Sequence, residues 1–329
     1  MYRTIIVPLD GSARSQAALP VAAAFARASG ASLELVRVHI DERRDLAGDP
    51  TWDLMFREGE MRYLESLALA YESVAGAKVG VSLLEPPVAA SLIELAESRV
   101  APLFIMSGRG RTGLRRALLG STADALVRGG NAPVLVLRDR GPEDPPAWSA
   151  GKHLFHRIVL PLDGSAHAEG GIAHAVAMAS ASGAKLRLVR VVGPVVTSAV
   201  LGAFTLHPLP TFDDATIIRN DLAQEYLNGI VHRIKASDPT LAVTTEVALA
   251  TDPATAILES CGRGAVDLVV IPTHGRGASR LIAGAVGDRL LRDGPDAVLF
   301  VKPAKSRLPA GMTESARNVR DADVPELVR

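Results

Sequence analysis

The hexapeptide PLDGSA occurs twice in this chain, at Pro8–Ala13 and at Pro161–Ala166, each time directly after a short β-branched run, TIIV or RIVL. At the same offset of 153 residues ASGASLELVRV (Ala28–Val38) faces ASGAKLRLVRV (Ala181–Val191), with nine of eleven positions identical. Further on, APLFIMSGRGR faces VDLVVIPTHGR at an offset of 165, and NAPVLVL faces PDAVLFV at 164. A chain that repeats itself in this way is expected to fold as two copies of one unit. Its 329 residues suffice for two domains of roughly 100–200 residues, each with its own core. The drift in offset assigns the extra residues of copy two to the Gly193–Asp213 connection, and the step back to 164 removes one residue after Gly275. Arg138–His153, with three prolines and mixed charge, reads as a linker. The expected organisation is a first domain over 1–138, a linker over 139–154 and a second domain over 155–303. Residues 304–329 lose apolar periodicity and are expected to form a flexible tail.

Within copy one, strand and helix patterns alternate. Strands are predicted near Thr4–Val7, Ser32–Val38, Lys78–Leu84, Leu103–Met106 and Val134–Leu137. Helices are predicted near Arg14–Ser29, Trp52–Val74, Val88–Ser98 and from Ser121. Strands such as LFIM and VLVL are apolar on both faces, as expected when helices cover both sides of a parallel sheet. The predicted fold is α/β: two tandem doubly wound α/β sandwich domains, each with a five-stranded parallel sheet. NAPVLVL and PDAVLFV are short, apolar and last in order, hence sheet edges that need covering. Pairing them with one another predicts an intrachain pseudo-dimer of approximate two-fold symmetry, with a homodimer as the further option.

Charge narrows the partners. The 36 basic residues balance 36 acidic ones, which does not suggest a nucleic-acid or membrane partner. The single cysteine, Cys261, forms no internal disulfide and no cysteine metal cluster, and in AILESCGRG it reads as helix packing. With no apolar stretch approaching about 18 residues and no leader-like pattern before TIIV, a cytoplasmic protein is expected.

The stretch MSGRGRTGLRRALLGST (Met106–Thr122) contains Gly108-x-Gly110-x-x-Gly113 after an apolar run. A dinucleotide fingerprint of this form belongs after the first strand of a βαβ unit, whereas this one follows the fourth strand of its copy. The repeat supplies a second test: Gly108 and Gly113 face no glycine in copy two, while Gly110 faces Gly275. Both copies keep a glycine after the strand, then nine or eight residues, then Gly120 or Gly284 opening the last helix. Such glycines let the backbone approach a phosphate closely, and a helix start offers free N–H groups and the positive end of the dipole. Ser121 is expected as the N-cap, with Asp124 completing an S-x-x-D pattern. Asp10 and Asp163 end the first strands on the same carboxyl edge, where ligands bind in open α/β sheets.

On these residues the chain resembles the universal stress protein family in its tandem, two-domain form, over about 2–138 and 155–302. The family's motif is G-x-x-G-x9-G-(S/T) on an adenine nucleotide alpha hydrolase-like fold. In copy one Gly110, the nine-residue spacer, Gly120 and Ser121 match, and Ser107 stands at the first glycine. In copy two Gly275 and Gly284 match, but Pro272 stands at the first glycine, the spacer is eight residues and Ala285 follows Gly284. The resemblance implies binding of ATP or a related adenine nucleotide, with ADP, AMP and an accompanying Mg2+ as options. It implies that Asp10 and Val38, and in copy two Asp163 and Val191, meet the adenine and ribose. Pro8, Met106, Arg109 and Thr122 flank these positions and complete the candidate site.

Simpler uses stand beside these. Gly110 and Gly120 also suit a turn and a cap, and Asp10 suits a cap of the turn at Gly11-Ser12. Arg109 and Arg111 read as a phosphate clamp, Arg115 and Arg116 as solvated charges, and the lone His274 as a structural or polar contact. The expected function is a nucleotide-binding regulatory stress protein, chiefly through copy one. The alternatives are a scaffold that binds no nucleotide and a slow ATP-hydrolysing enzyme. Against turnover, the chain lacks the G-x-x-x-x-G-K-(S/T) loop, S-G-G-x-D-S and H-x-G-H.

Overall fold

The computed structural model describes residues 1–40, 50–108, 119–138, 154–193, 212–262, 267–273 and 284–302. Copy one runs β1 (Thr4–Pro8), α1 (Ala13–Gln16), α2 (Leu19–Ser29), β2 (Ser32–Val38), α3 (Pro50–Ala75) and β3 (Gly80–Leu84). It continues with α4 (Val88–Glu97), β4 (Pro102–Gly108), α5 (Ser121–Gly129) and β5 (Val134–Arg138). Copy two repeats the series: β6 (Arg157–Pro161), α6 (Ala166–Glu169), α7 (Ile172–Ser182), β7 (Lys185–Val192), α8 (Phe212–Ser237) and β8 (Val243–Leu249). It ends with α9 (Pro253–Gly262), β9 (Leu268–Pro272), α10 (Gly284–Asp293) and β10 (Ala297–Val301). The expected single helix over Arg14–Ser29 is two, parted at Ala17–Ala18, and copy two is parted at the equivalent Gly170–Gly171; Pro20 sits in the first turn of α2, where proline is tolerated. The longer connection of copy two falls between Val192 and Phe212, against Val38 to Pro50 in copy one.

The ten strands form one sheet in the order β3-β2-β1-β4-β5-β10-β9-β6-β7-β8. Every pairing is parallel except β5 with β10, which is antiparallel with Val134 opposite Phe300 and Leu137 opposite Ala297. Two parallel half-sheets thus merge edge to edge. The row of unpaired N–H and C=O groups that each last strand would present is taken up by the other. The junction is also tied reciprocally through helix ends. Arg138 Nη1 donates to the Gly294 carbonyl beyond α10 (2.9 Å), and Lys302 Nζ donates to the Arg128 carbonyl at the end of α5 (2.9 Å). In each case a cation ending one copy's last strand meets the carbonyl end of the other copy's last helix, where positive charge is favoured.

The sheet has a core on each face. One core joins Ile5, Leu35, Phe25 and Leu64 of copy one to Ile158, Leu188, Met178 and Leu227 of copy two, beneath α2, α3, α7 and α8. The other joins Ile6, Phe104 and Leu126 to Val159, Val269 and Leu290, beneath α4, α5, α9 and α10. Alternate residues of a strand face opposite sides, so a run such as TIIV feeds both cores. Cys261 is buried in the second core, and burial pushes its thiol pKa up to about 12. It packs as a small apolar side chain.

The two copies differ where they touch. Tyr2 Oη lies 2.7 Å from His174 Nδ1 on α7, whereas the corresponding residues, Phe155 and Val21, are apolar and buried. Burial raises the Tyr2 pKa and pushes that of His174 down to about 4.

Candidate functional site

The PLDGSA loops are built alike. Asp10 Oδ1 accepts hydrogen bonds from the Ser12 amide (2.9 Å) and hydroxyl (2.6 Å), and Ser12 Oγ accepts the Ser15 amide (3.1 Å) at the start of α1. In copy two Asp163 Oδ1 accepts the Ser165 amide (2.8 Å), and Ser165 Oγ accepts the Ala168 amide (3.1 Å). Burial alone would raise both carboxyl pKa values, but the hydrogen bonds outweigh it and both are lowered. Gly11 and Gly164 hold φ of +86° and +87°, a region that L side chains rarely adopt. A Cβ at Gly11 would collide with the Arg37 guanidinium, and one at Gly164 would come within 3.3 Å of Arg190 Nη2. PLDGSA and LVRV meet in the same way in both copies: the arginine of the second strand lies over the glycine of the first loop. Each guanidinium also faces a tyrosine ring, Tyr63 at 5.7 Å and Tyr226 at 4.7 Å.

Beyond the arginine the copies part. In copy one His39 is buried, its Nδ1 2.7 Å from Glu60 Oε2 and its Nε2 2.9 Å from Asp53 Oδ1. Arg37 Nε donates to Glu60 Oε1 (2.8 Å), and Arg57 pairs with both Asp53 (2.7 Å) and Glu85. Hydrogen bonding from Arg57 lowers the pKa of Asp53 and of Glu85. This network ties the first turns of α3 to the end of β2 and to the β3–α4 connection. With Tyr63 and Tyr226 as equivalents, copy two has Val192, Ala223, Thr216 and Asn220 in place of His39, Glu60, Asp53 and Arg57. The charges needed for the network are gone.

In copy one a cleft of about 1050 Å³ opens at the carboxyl edge of β1, β2 and β4, at the upper end of the roughly 300–1,000 Å³ usual for ligand pockets. Eight of the candidate residues line it: Pro8, Asp10, Val38, Met106, Ser107, Gly120, Ser121 and Thr122. Arg109, Gly110 and Gly113 lie outside the described residues, as do Arg111, Arg115 and Arg116. The start of α5 differs from the expected capping box. Gly120 is the N-cap, with φ −59° and ψ 157°, Ser121 is the first helical residue, and among the described residues no side chain caps the helix. With Gly120 as N-cap, Asp124 is the fourth helical residue rather than the third; its carboxylate pairs with Arg128 one turn on (2.8 Å) and its amide donates to the Gly120 carbonyl (2.9 Å). That is the first bond of the helix, so the amides of Ser121, Thr122 and Ala123 have no partner within it. A Cβ at Gly120 would meet no atom within 4 Å. The cleft thus holds an uncapped helix start, two hydroxyls beside it, a carboxylate on the adjoining loop and the side chain of Val38. The helix start and the hydroxyls suit an anion such as phosphate, the carboxylate suits a hydroxyl-bearing group, and Val38 offers an apolar surface. Ser107, at the position of the missing glycine, donates its hydroxyl to the Arg14 carbonyl (2.7 Å) and so ties β4 to α1. Among the described residues no group of three or more His, Cys, Asp or Glu side chains is placed to hold a metal ion.

In copy two Asp163 lies two residues after β6, Val191 packs against the second core and Gly284 opens α10, while Gly275, His274 and Arg276 lie outside the described residues. Sequence patterns alone did not single out His39, Asp53, Phe56, Glu60 or Trp52 as lining the copy-one cleft. The signal available was the histidine following LVRV in one copy only.

A doubly wound α/β sheet with a loop carboxylate and an open helix start on one carboxyl edge defines the class of fold that binds ligands at strand ends. The family model of the universal stress proteins matches residues 1–138 and again 154–302. The chain belongs to the universal stress protein family, with two such domains in tandem. It is 27% identical over 307 residues to a universal stress protein of Mycolicibacterium smegmatis, covering 91% of this chain and 97% of that one. A universal stress protein of Methanocaldococcus jannaschii is 31% identical over 145 residues, 42% of this chain and 83% of its own length. Among solved structures, a universal stress protein from Archaeoglobus fulgidus superposes with a TM-score of 0.61 at 18% identity, over 92% of this chain and 98% of that one. It shares the fold. No helix among the described residues is long and apolar enough to cross a membrane.

Proposed function

We propose that this protein is a regulatory stress protein of the cytoplasm that binds ATP or a related adenine nucleotide in the copy-one cleft. The observation that carries the reading is the convergence of the Asp10 loop, Val38 and the uncapped start of α5 on one cleft. The amides of Ser121 and Thr122, with their hydroxyls, hold phosphate oxygens; Asp10 and Val38 hold ribose and base. Gly110 and Arg109 belong to the same site through the family motif. In copy two Ala285 offers no hydroxyl, Pro272 has no N–H, and the spacer is one residue shorter, which redirects one amide group relative to the other. Copy two is therefore the weak site, with Asp163, Val191, Gly275 and Gly284 as its remnants, and serves chiefly as a partner in an intrachain pseudo-dimer. The antiparallel β5–β10 pairing supports that arrangement.

Calorimetry of the full chain with ATP, ADP and AMP tests this reading. About one equivalent is expected, lost in Asp10→Ala and kept in Asp163→Ala. No binding of any of the three would leave the scaffold alternative. A stoichiometry near two, with each variant removing one equivalent, would overturn the reading of copy two.

A further inference from the structure

His39 follows Val38 at the carboxyl end of β2 and is buried in the wall of the copy-one cleft. Both of its ring nitrogens meet carboxylates of α3: Nδ1 lies 2.7 Å from Glu60 Oε2, and Nε2 lies 2.9 Å from Asp53 Oδ1. A neutral imidazole has one N–H and one lone pair, so it serves one carboxylate and turns the lone pair on the other. Asp53 does not make up the difference. Hydrogen bonding from Arg57 holds its carboxyl below the ordinary range, so at neutral pH it accepts and does not donate. On the other side, Glu60 Oε1 already accepts from Arg37 Nε (2.8 Å). Bonding both carboxylates at once takes a ring that carries a proton on each nitrogen. The surrounding charges balance on the same condition. Arg37 of β2 and Arg57 of α3 face Asp53 and Glu60 of α3 and Glu85 of the β3–α4 connection, and a protonated His39 supplies the third positive charge. Asp10 of the first loop and Arg14 of α1 line the same cleft. Copy two has Val192, Thr216 and Ala223 in place of His39, Asp53 and Glu60, so it has no ring to titrate there.

We propose that His39 is a proton-operated clasp in the wall of the copy-one cleft, and that an anionic ligand binds there less tightly as the pH rises. With its proton the ring holds Asp53 and Glu60, and with them the first turns of α3, against the end of β2. When the proton leaves, the ring keeps one carboxylate and faces the other with a lone pair, which repels it. The wall then carries one more unit of negative charge beside the Asp10 carboxylate. A phosphate-bearing ligand feels that charge; an uncharged ligand of similar shape feels it less. The identity of the ligand rests on the nucleotide reading of the cleft, whereas the clasp is a property of the free protein.

Ring 15N chemical shifts of His39 in the free full-length chain, identified by their loss in His39→Gln, read its protonation directly. One proton is expected to leave the ring between about pH 5 and 9. Asp53→Asn, which removes the charge facing Nε2 at a largely solvent-facing position, moves that step to lower pH. A ring neutral at the acid end, a ring still protonated at the alkaline end, or a step that Asp53→Asn leaves in place overturns the clasp. Calorimetry with AMP and adenosine reads the coupling. From the protonated to the neutral ring, AMP affinity is expected to fall about ten-fold and adenosine affinity by less than about three-fold. In His39→Gln the difference between the two ligands no longer changes across that range. Equal falls for AMP and adenosine in the wild type overturn the electrostatic coupling. Wild-type protein that shows the proton step but binds none of ATP, ADP or AMP overturns the nucleotide reading, and the clasp holds.

Discussion

The two copies share a loop and differ in what surrounds it. In each, an aspartate holds the turn after the first strand, a glycine with positive φ passes under an arginine of the second strand, and that arginine covers a tyrosine. Copy one adds a buried histidine between two carboxylates, a pinned first turn of α3 and a pair of exposed aromatic rings. Copy two keeps the frame but has valine, alanine, threonine and asparagine where the network's charged groups stand. What is common to both copies is what the fold requires. The network that copy one alone carries is what the proposed nucleotide site would use, because buried charges are costly to a fold that does not use them.

The largest expected break in this comparison is at the helix starts. Gly120→Val puts a branched side chain into the open space before α5 at a backbone conformation any residue adopts, so the protein folds and loses nucleotide affinity by about a hundred-fold or more. Gly284→Val leaves the measured affinity unchanged, because copy two contributes little of it. Calorimetry of both variants checks this; equal effects would erase the functional difference between the copies.

A smaller effect is expected at the junction. Burial pushes the His174 pKa down to about 4, from an ordinary value of about 6.5. Above that ordinary value the contribution of neutral His174 is fully present. As the pH falls toward 4 the unfolded chain takes up a proton that the folded chain refuses, so stability declines by at most about 1.4 kcal/mol per pH unit and levels off below. Tyr2→Phe/His174→Val, which copies Phe155 and Val21 from the opposite side, should flatten this part of the profile in denaturant titrations between pH 4 and 7.

The smallest effects sharpen the likeness. Ser12→Ala and Ser165→Ala each remove an N-cap bond, from Ser15 and Ala168 respectively, and each is expected to cost about 1 kcal/mol. Thermal unfolding should show equal losses. An effect confined to Ser12 would tie its loop to something beyond the shared frame.

Local features were legible without coordinates. Ser32–Val38 is the second strand at both ends of its predicted range, and β5 exceeds its prediction only by Arg138, because apolar runs bounded by turn residues carry their own limits. The helix starts were less legible. α1 and α2 part at Ala17–Ala18, as α6 and α7 do at Gly170–Gly171, and Gly120 rather than Ser121 caps α5, since a cap depends on backbone angles that a serine-aspartate spacing does not determine. Of the eight candidate residues in the cleft, Asp10, Gly120 and Ser121 could be named from strand ends and glycine spacing, and the others came with the family resemblance. The opposite wall of the cleft could not be named, because Asp53 and Glu60 meet His39 only after α3 folds back over β2.

By itself, then, the sequence determined that there are two copies, that each alternates strand and helix, and that loops with PLDGSA and glycine-led helices share one sheet edge. Those are consequences of periodicity and of residues with restricted backbones, both local properties. The pairing of NAPVLVL with PDAVLFV was expected from the sequence; tertiary structure decided that it is antiparallel, with Val134 opposite Phe300, and so makes one sheet of ten strands. It also decided that Arg138 and Lys302 reach across to the other copy's helix end, and that Trp52 and Phe56 line the same cleft as Asp10. Each of these depends on contacts between residues far apart in the chain, whose formation is set by how two apolar edges and two cores are covered at once.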